Sequence, residues 1–214
     1  MSSSKENILK KIRKALSEST PIPFPLSEGN SSVFRPSSEE LEIIFAEEFT
    51  KLQGKFVFCL DEAELAARLV HLFQHKEWTK IYCMEKALKK ILHIGSLPLL
   101  PELQLKDSDV SLTSCECLVA RTGTIVLSAA QQNGRTASVY APIHICIAYT
   151  NQLVYDIKDA LLLLREKYQS NLPSLITFAS GPSRTADIEK TLVVGVHGPK
   201  EVYVFLMDEG SIKA

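Results

Sequence analysis

The chain has 214 residues, 45% of them hydrophobic, and its 24 Lys and Arg against 25 Asp and Glu leave a formal net charge of −1. That length holds one domain, or one domain with an appendage, and the apolar share is enough for a sizeable core. The near-neutral balance excludes a generally basic nucleic-acid binder and a chain kept disordered by its own charge, and no window approaches the roughly eighteen uninterrupted apolar residues of a membrane span.

Residues 4–17 read as an amphipathic helix, with Ile8, Ile12, Ala15 and Leu16 on one face and Lys5, Lys10, Lys11, Arg13 and Lys14 over the rest. Such a helix either meets an anionic surface or a partner, or presents an ordinary solvated face. Polar and basic residues stand where a signal peptide needs its apolar core, and no small-residue cleavage site follows. A cytoplasmic protein with its five cysteines reduced is therefore expected. Residues 20–38 carry four prolines and a Gly-Asn turn, which no helix or central strand survives, so they read as an extended arm or linker. The expected division is residues 1–36 as helix and Pro-rich arm and residues 37–214 as an α/β domain.

A second helix is predicted from Ser38 to about residue 52, with Leu41, Ile44, Phe45, Phe49 and Leu52 at helical spacing. A strand over 55–60 follows, then a helix to about residue 75 capped by Asp61, a strand over 79–83 and a helix over 85–93. This alternation requires crossover connections and a mostly parallel sheet. Residues 97–106 hold two prolines and read as loop. Apolar, β-branched runs at 117–120, 124–129, 137–140 and 144–149 read as strands, and residues 156–168 return to helix. A strand over 175–179, a loop over 180–185 and strands near 192–196 and 202–207 close the chain. There is no internal repeat. The expected fold is a sheet with helices on both faces and some antiparallel pairing in the middle.

The segment from Ser180 to Glu189, Ser-Gly-Pro-Ser-Arg-Thr-Ala-Asp-Ile-Glu, directly follows a strand and is the most informative. Ligands of open α/β sheets bind where irregular loops leave strand ends. Gly181 permits close backbone approach beside Pro182, Ser183 and Thr185 offer hydroxyls, and Arg184 offers a planar cation suited to carboxylate or phosphate. A helical turn starting near Thr185 would add free amides. Alternatively the segment is a plain turn in which Arg184 pairs with Asp187 or Glu189. Thr122-Gly123-Thr124 permits ligand contact, or marks a hairpin turn or bulge. His197-Gly198-Pro199 offers an imidazole as acid, base or donor, the one candidate for a catalytic role, or else forms a turn whose His satisfies backbone groups. Asn133-Gly134-Arg135 reads as a hairpin turn.

Metal and thiol chemistry are poorly supported. Cys115 and Cys117 share one face if extended, with no second Cys or His pair at zinc or iron–sulfur spacing. His71 and His75 share a helix face, but position 72 is Leu, so the HExxH arrangement is missing. Cys59, Cys83 and Cys146 lie in apolar strands and read as core. GxGxxG, P-loop and GxSxG patterns do not occur.

Three stretches together resemble the signature blocks of the LutC/YkgG family, which carries the LUD (lactate utilisation) domain. They are ARTGTIVL at 120–127, SGPSRTADIE at 180–189 and LVVGVHGPKE at 192–201, the last two within one long match over 177–206. The resemblance covers roughly residues 38–208. It implies a three-layer α/β/α sandwich similar to the NagB/RpiA/CoA-transferase class and an accessory role in oxidising L-lactate to pyruvate, beside partner proteins that carry the iron–sulfur centres. It assigns no cofactor to this chain. It also implies that the motif positions, Thr122, Gly123, Thr124, Gly181, Pro182, Ser183, Arg184, Thr185, Asp187, His197 and Gly198, line a site for a small anion. One departure matters. The family usually has Glu before Thr-Gly-Thr, where this chain has Arg121, so the Glu nucleophile of the related CoA transferases is not expected. Arg121 would either enlarge a cationic pocket with Arg184 or point to solvent, and Glu116, the nearest other carboxylate, is not taken as its replacement. The alternative function is a noncatalytic assembly module docking through the basic helix and the Pro-rich arm.

Overall fold

A computed structural model describes residues 4–17, 39–97, 103–188, 191–195 and 197–209, with the backbone alone at 16, 185–188 and 191–193. The Pro-rich arm and half of the loop expected over 97–106 lie outside these residues. The chain divides into two units, Met1–Ser38 and Glu39–Ala214. In the first, α1 spans Ser4–Ser17, with Glu6 in its first turn and Lys14 in its last, both favourable to the helix dipole. Its Ile8, Leu9 and Ile12 are exposed.

The second unit opens with α2 (Leu41–Lys51), whose Phe45 and Phe49, one turn apart, are fully buried with their rings stacked at 5.3 Å. Then come β1 (Lys55–Cys59) and α3 (Glu62–Lys76). Asp61 caps α3 as its sequence predicts, the carboxylate accepting from the Glu64 amide at 2.8 Å. Next are β2 (Ile81–Tyr82), α4 (Lys86–Ile94), β3 (Val110–Thr113), β4 (Cys117–Val119), β5 (Thr124–Ser128) and α5 (Ala137–Tyr140). The chain finishes with β6 (Ile143–Tyr149), β7 (Leu153–Val154), α6 (Ile157–Tyr168), β8 (Ile176–Ala179), β9 (Arg184–Ile188), β10 (Thr191–Val194) and β11 (Glu201–Met207).

Five strands form a sheet in the order β1-β11-β6-β3-β2, every pair parallel. Alternate residues therefore serve opposite faces. Ile145, Ile147, Phe205 and Met207 meet Leu65, Leu69 and Phe73 of α3 and Leu88, Ile91 and Leu92 of α4. On the other face Cys146, Ala148, Val204 and Leu206 meet Phe45 and Phe49 of α2, with Leu118, Ile125 and Leu127 of a second sheet. That second sheet, ordered β7-β4-β5-β8, carries the antiparallel pairing, and Ala160 and Leu164 of α6 cover its outer side. The result is a three-layer α/β/α fold with the small sheet set beside α2 in the third layer.

Three expectations are corrected. Residues 137–140 form a single helical turn instead of a strand: the Tyr140 amide reaches back to the Thr136 carbonyl at 2.9 Å, and Val139 and Tyr140 both face solvent. Asn133-Gly134-Arg135 is no hairpin, because β5 and β6 belong to different sheets and the segment crosses between them. Buried Asn133 pins this crossing, its side-chain oxygen accepting from the Met84 amide at 3.0 Å. Cys115 and Cys117 do not share a face, since a bend at Glu116 sends Cys115 to the core between the sheets and Cys117 beneath α6. The cysteines are all buried, and burial pushes the Cys59 thiol up to about 11.

Candidate anion site

Antiparallel pairing of β5 with β8 sets Ile125 opposite Ala179, so Thr124 and Ser180, next along, are neighbours across the sheet. Their hydroxyls meet at 2.7 Å, and Thr124 also lies 2.8 Å from the Thr122 hydroxyl. Sheet register thus joins two motifs separated by more than fifty residues in sequence.

Both loops rest on the end of α2. Gly123 closes the β4–β5 turn at φ +54°, and a Cβ there would lie 2.5 Å from the amide nitrogen of Phe49. Gly181, at φ +76°, sits so close to Leu52 that a Cβ would come within 2.6 Å of its carbonyl oxygen. Gly123 is therefore a close-packing residue of a hairpin turn, one of its two sequence readings. Leu52 caps the C-terminus of α2, where carbonyls lack helical partners, and Arg184 donates to the Leu52 carbonyl through Nη2.

The third motif joins through Ser183. Its amide donates to the Pro199 carbonyl at 3.0 Å, its carbonyl accepts from the Gly195 amide at 3.0 Å, and Gly198 packs against its Cβ. Pro182 and Pro199 are buried while His197 is exposed. Beside this junction lies a cavity of about 440 Å³ lined by Val139, Tyr140, Pro142, Gly195, His197, Gly198 and Lys200. The Lys200 amide donates to the Pro142 carbonyl at 2.7 Å, which places the cavity at the amino ends of neighbouring β6 and β11. That is opposite the carboxyl rim at which parallel sheets usually bind ligands.

Several candidate residues have partners within the fold. The helical turn expected near Thr185 is the strand β9, with Thr185 paired to Val193 of β10, so Arg184, Thr185 and Asp187 lie in a hairpin and no helix amides are available. Arg121 lies at the surface, one of its two sequence readings, and its Nε donates there to the Asp156 carboxylate at 2.5 Å. Asp156 is the N-cap of α6, and Arg121 holds its carboxyl below the ordinary range. Glu116 is buried and fully engaged, accepting from Ser128 Oγ, Tyr168 OH and Lys167 Nζ. Burial alone would raise its carboxyl, but those three donors outweigh it and keep it lowered, so it ties β4 to α6 as an anion. Of the expected residues, His197 and Gly198 line the cavity. The cation beside them is Lys200, which the sequence reading passed over although it directly follows the His-Gly-Pro motif. Arg184→Ala is expected to lower unfolding free energy by about 1 kcal/mol, through the lost helix cap, and to change anion affinity less than about twofold; urea melts and calorimetric titration check both.

All three motifs lie within residues 100–207. A family model described as the LUD domain matches residues 100–207, half of the chain, and the chain belongs to that family. It is 35% identical over 106 residues to lactate utilization protein C of Bacillus subtilis, covering 48% of this chain and 44% of that one. It is 36% identical over 107 residues to the protein of the same name from Shouchella clausii, covering 50% and 47%. The chain thus spans about half the length of the curated relatives it matches. A solved DUF162 family protein from Deinococcus radiodurans superposes with a TM-score of 0.60 at 18% identity, covering 81% of this chain and 99% of that one, a likeness of fold. No helix among the described residues is long and apolar enough to cross a membrane.

Proposed function

We propose that this protein serves lactate utilisation, as an accessory cytoplasmic subunit in the oxidation of L-lactate to pyruvate, and that it binds a small anion in the cavity beside His197 and Lys200. One observation carries the reading: at the junction of the motif loops a cavity of about 440 Å³ is lined by an ammonium, an imidazole and the Tyr140 ring, with no carboxylate among its lining residues. An ammonium and imidazole suit a carboxylate such as lactate or pyruvate, a phosphorylated metabolite or part of a nucleotide. The Thr122–Thr124–Ser180 hydroxyls and the Gly181–Arg184 segment act as scaffold, fixing the loop that carries Ser183 against Gly198.

Titration with L-lactate, pyruvate and inorganic phosphate by calorimetry tests the site. Lys200→Gln is expected to weaken the anion that binds by about tenfold, one charge-assisted hydrogen bond, with an unchanged melting temperature in its absence. Equal affinity in the variant removes the site.

A second reading, a noncatalytic assembly module for iron–sulfur partner proteins, is favoured by α1, whose exposed Ile8, Leu9 and Ile12 share the helix with Lys10, Lys11, Arg13 and Lys14. Deleting residues 1–36 separates the two: loss of co-purifying partners with anion binding intact supports the module.

A further inference from the structure

A second cavity lies on the face of the parallel sheet that α3 covers. Helix α3 turns Leu65, Ala66, Leu69 and Phe73 into the core. The adjoining stripe, Ala67, Arg68, His71, Leu72 and His75, stands over Val57 of the edge strand β1 and over Tyr203 and Phe205 of β11, and encloses about 440 Å³ with them. Ala67 is the reason for the space, since its methyl group stands where the rest of the stripe carries long side chains. The floor is apolar and aromatic, and the rim carries one guanidinium and two imidazoles. That combination, in a volume within the usual range for small-molecule sites, suits a ligand with an apolar body and one anionic end.

The rim groups are placed to receive such an end. The His71 and His75 rings stack 6.3 Å apart, and among the described residues neither has a carboxylate partner. Arg68 is braced by Glu64, whose Oε1 takes Nε at 2.8 Å and Nη2 at 2.6 Å, which leaves the Nη1 edge of the guanidinium for an incoming oxygen. The carboxylate nearest the floor, Glu201, is already neutralised: Lys55 donates to it, Lys76 lies 3.6 Å away, and the Tyr203 hydroxyl donates at 2.6 Å. This network also fixes the Tyr203 ring that forms one wall.

We propose that this cavity binds a small monocarboxylic acid with an aromatic or branched aliphatic body, which lies against Val57, Leu72, Tyr203 and Phe205 while its carboxylate is received by His71, His75 and Arg68. The site is separate from the one beside Lys200 and does not depend on the reading given to that one.

Trp78, the only tryptophan in the chain, packs edge-on against Tyr203 at 5.9 Å and serves as a built-in reporter. The full chain is titrated with 4-phenylbutyrate, its uncharged amide and 4-methylpentanoate, following Trp78 emission and heat. The acids are expected to bind saturably, the amide about tenfold more weakly, and His71→Ala/His75→Ala to weaken the acids by about tenfold. Ala67→Phe, at an exposed helix position that tolerates the larger side chain, fills the cavity and is expected to abolish the signal with the melting temperature retained. No saturable binding of either acid at millimolar concentration overturns the proposal. So does undiminished binding in Ala67→Phe, or loss of binding in Lys200→Gln with Ala67→Phe unaffected, which places the probe in the other cavity. A dimeric wild type that Ala67→Phe converts to monomer, without probe binding, reassigns the face to a subunit contact.

Discussion

Gly123→Ala is expected to destabilise the fold by at least about 3 kcal/mol. Two costs combine. The left-handed conformation at φ +54° opposes any Cβ by about 1 kcal/mol. The added carbon would also lie 2.5 Å from the Phe49 amide nitrogen and 2.8 Å from its Cα, both backbone atoms that no rotamer change can withdraw. The β4–β5 turn or the last turns of α2 must then move apart, and Phe49 and Phe45, buried between α2 and the two sheets, lose contacts with them. Gly134→Ala is the matched control: its φ of +67° imposes the same conformational cost, while a Cβ there meets nothing within 4 Å. Chemical denaturation of the two variants should differ by at least about 2 kcal/mol; equal losses would mean that the packing of the turn on α2 contributes nothing.

The second large effect is a loss of stability in mild acid. His144, on the central strand β6, is fully enclosed, with Nε2 2.9 Å from the Thr113 hydroxyl, and burial pushes its imidazole down to about 4. An unfolded histidine titrates near pH 6.5, so above that value both states are neutral and His144 confers no pH dependence. As pH falls below it, the unfolded chain takes up a proton that the fold refuses, and stability drops until the folded imidazole itself titrates near pH 4. The span amounts to about 3 kcal/mol, with about 2 kcal/mol already lost at pH 5. His144→Gln, which keeps a partner for Thr113, should remove most of that slope between pH 6.5 and 5. Glu116 loses its contribution further down, because its lowered carboxyl stabilises the fold at higher pH and ceases to do so as pH falls through the folded value. A variant and wild type with parallel stability curves over pH 6.5 to 5 would show that His144 carries its proton in the fold.

How far the sequence reveals this protein depends on the range of the interaction concerned. Helices α2, α3 and α6 are legible because their signals are local, with apolar residues one turn apart at Phe45 and Phe49 and caps at Asp61 and Asp156. Strand β3 is not: Ser111 and Thr113 interrupt its apolar pattern, and their burial makes sense only beside β6, where Ser111 meets the Ile143 carbonyl and Thr113 meets His144. The motif segments meet through sheet register, at Thr124 and Ser180, and through the backbone of Ser183, contacts that no local pattern displays. Arg184 reads as a ligand donor because a guanidinium suits anions, and its acceptor, the Leu52 carbonyl, lies 132 residues upstream. Arg121 likewise finds Asp156 35 residues downstream. Lys200 stands inside the 192–201 block, but its place beside Pro142 arises only when β11 aligns with β6.

The end of α2 has a practical consequence for anyone trimming this protein. The Thr-Gly-Thr turn leans on Phe49, and the Gly181–Arg184 segment leans on Leu52, so a single helical stub outside the shared 100–207 span is the shelf under both. A fragment cut at the border of that span would keep every signature residue and leave two of the three motif loops hanging over water. Expression boundaries belong before Glu39, and transplanting the signature blocks onto another scaffold requires transplanting their shelf as well.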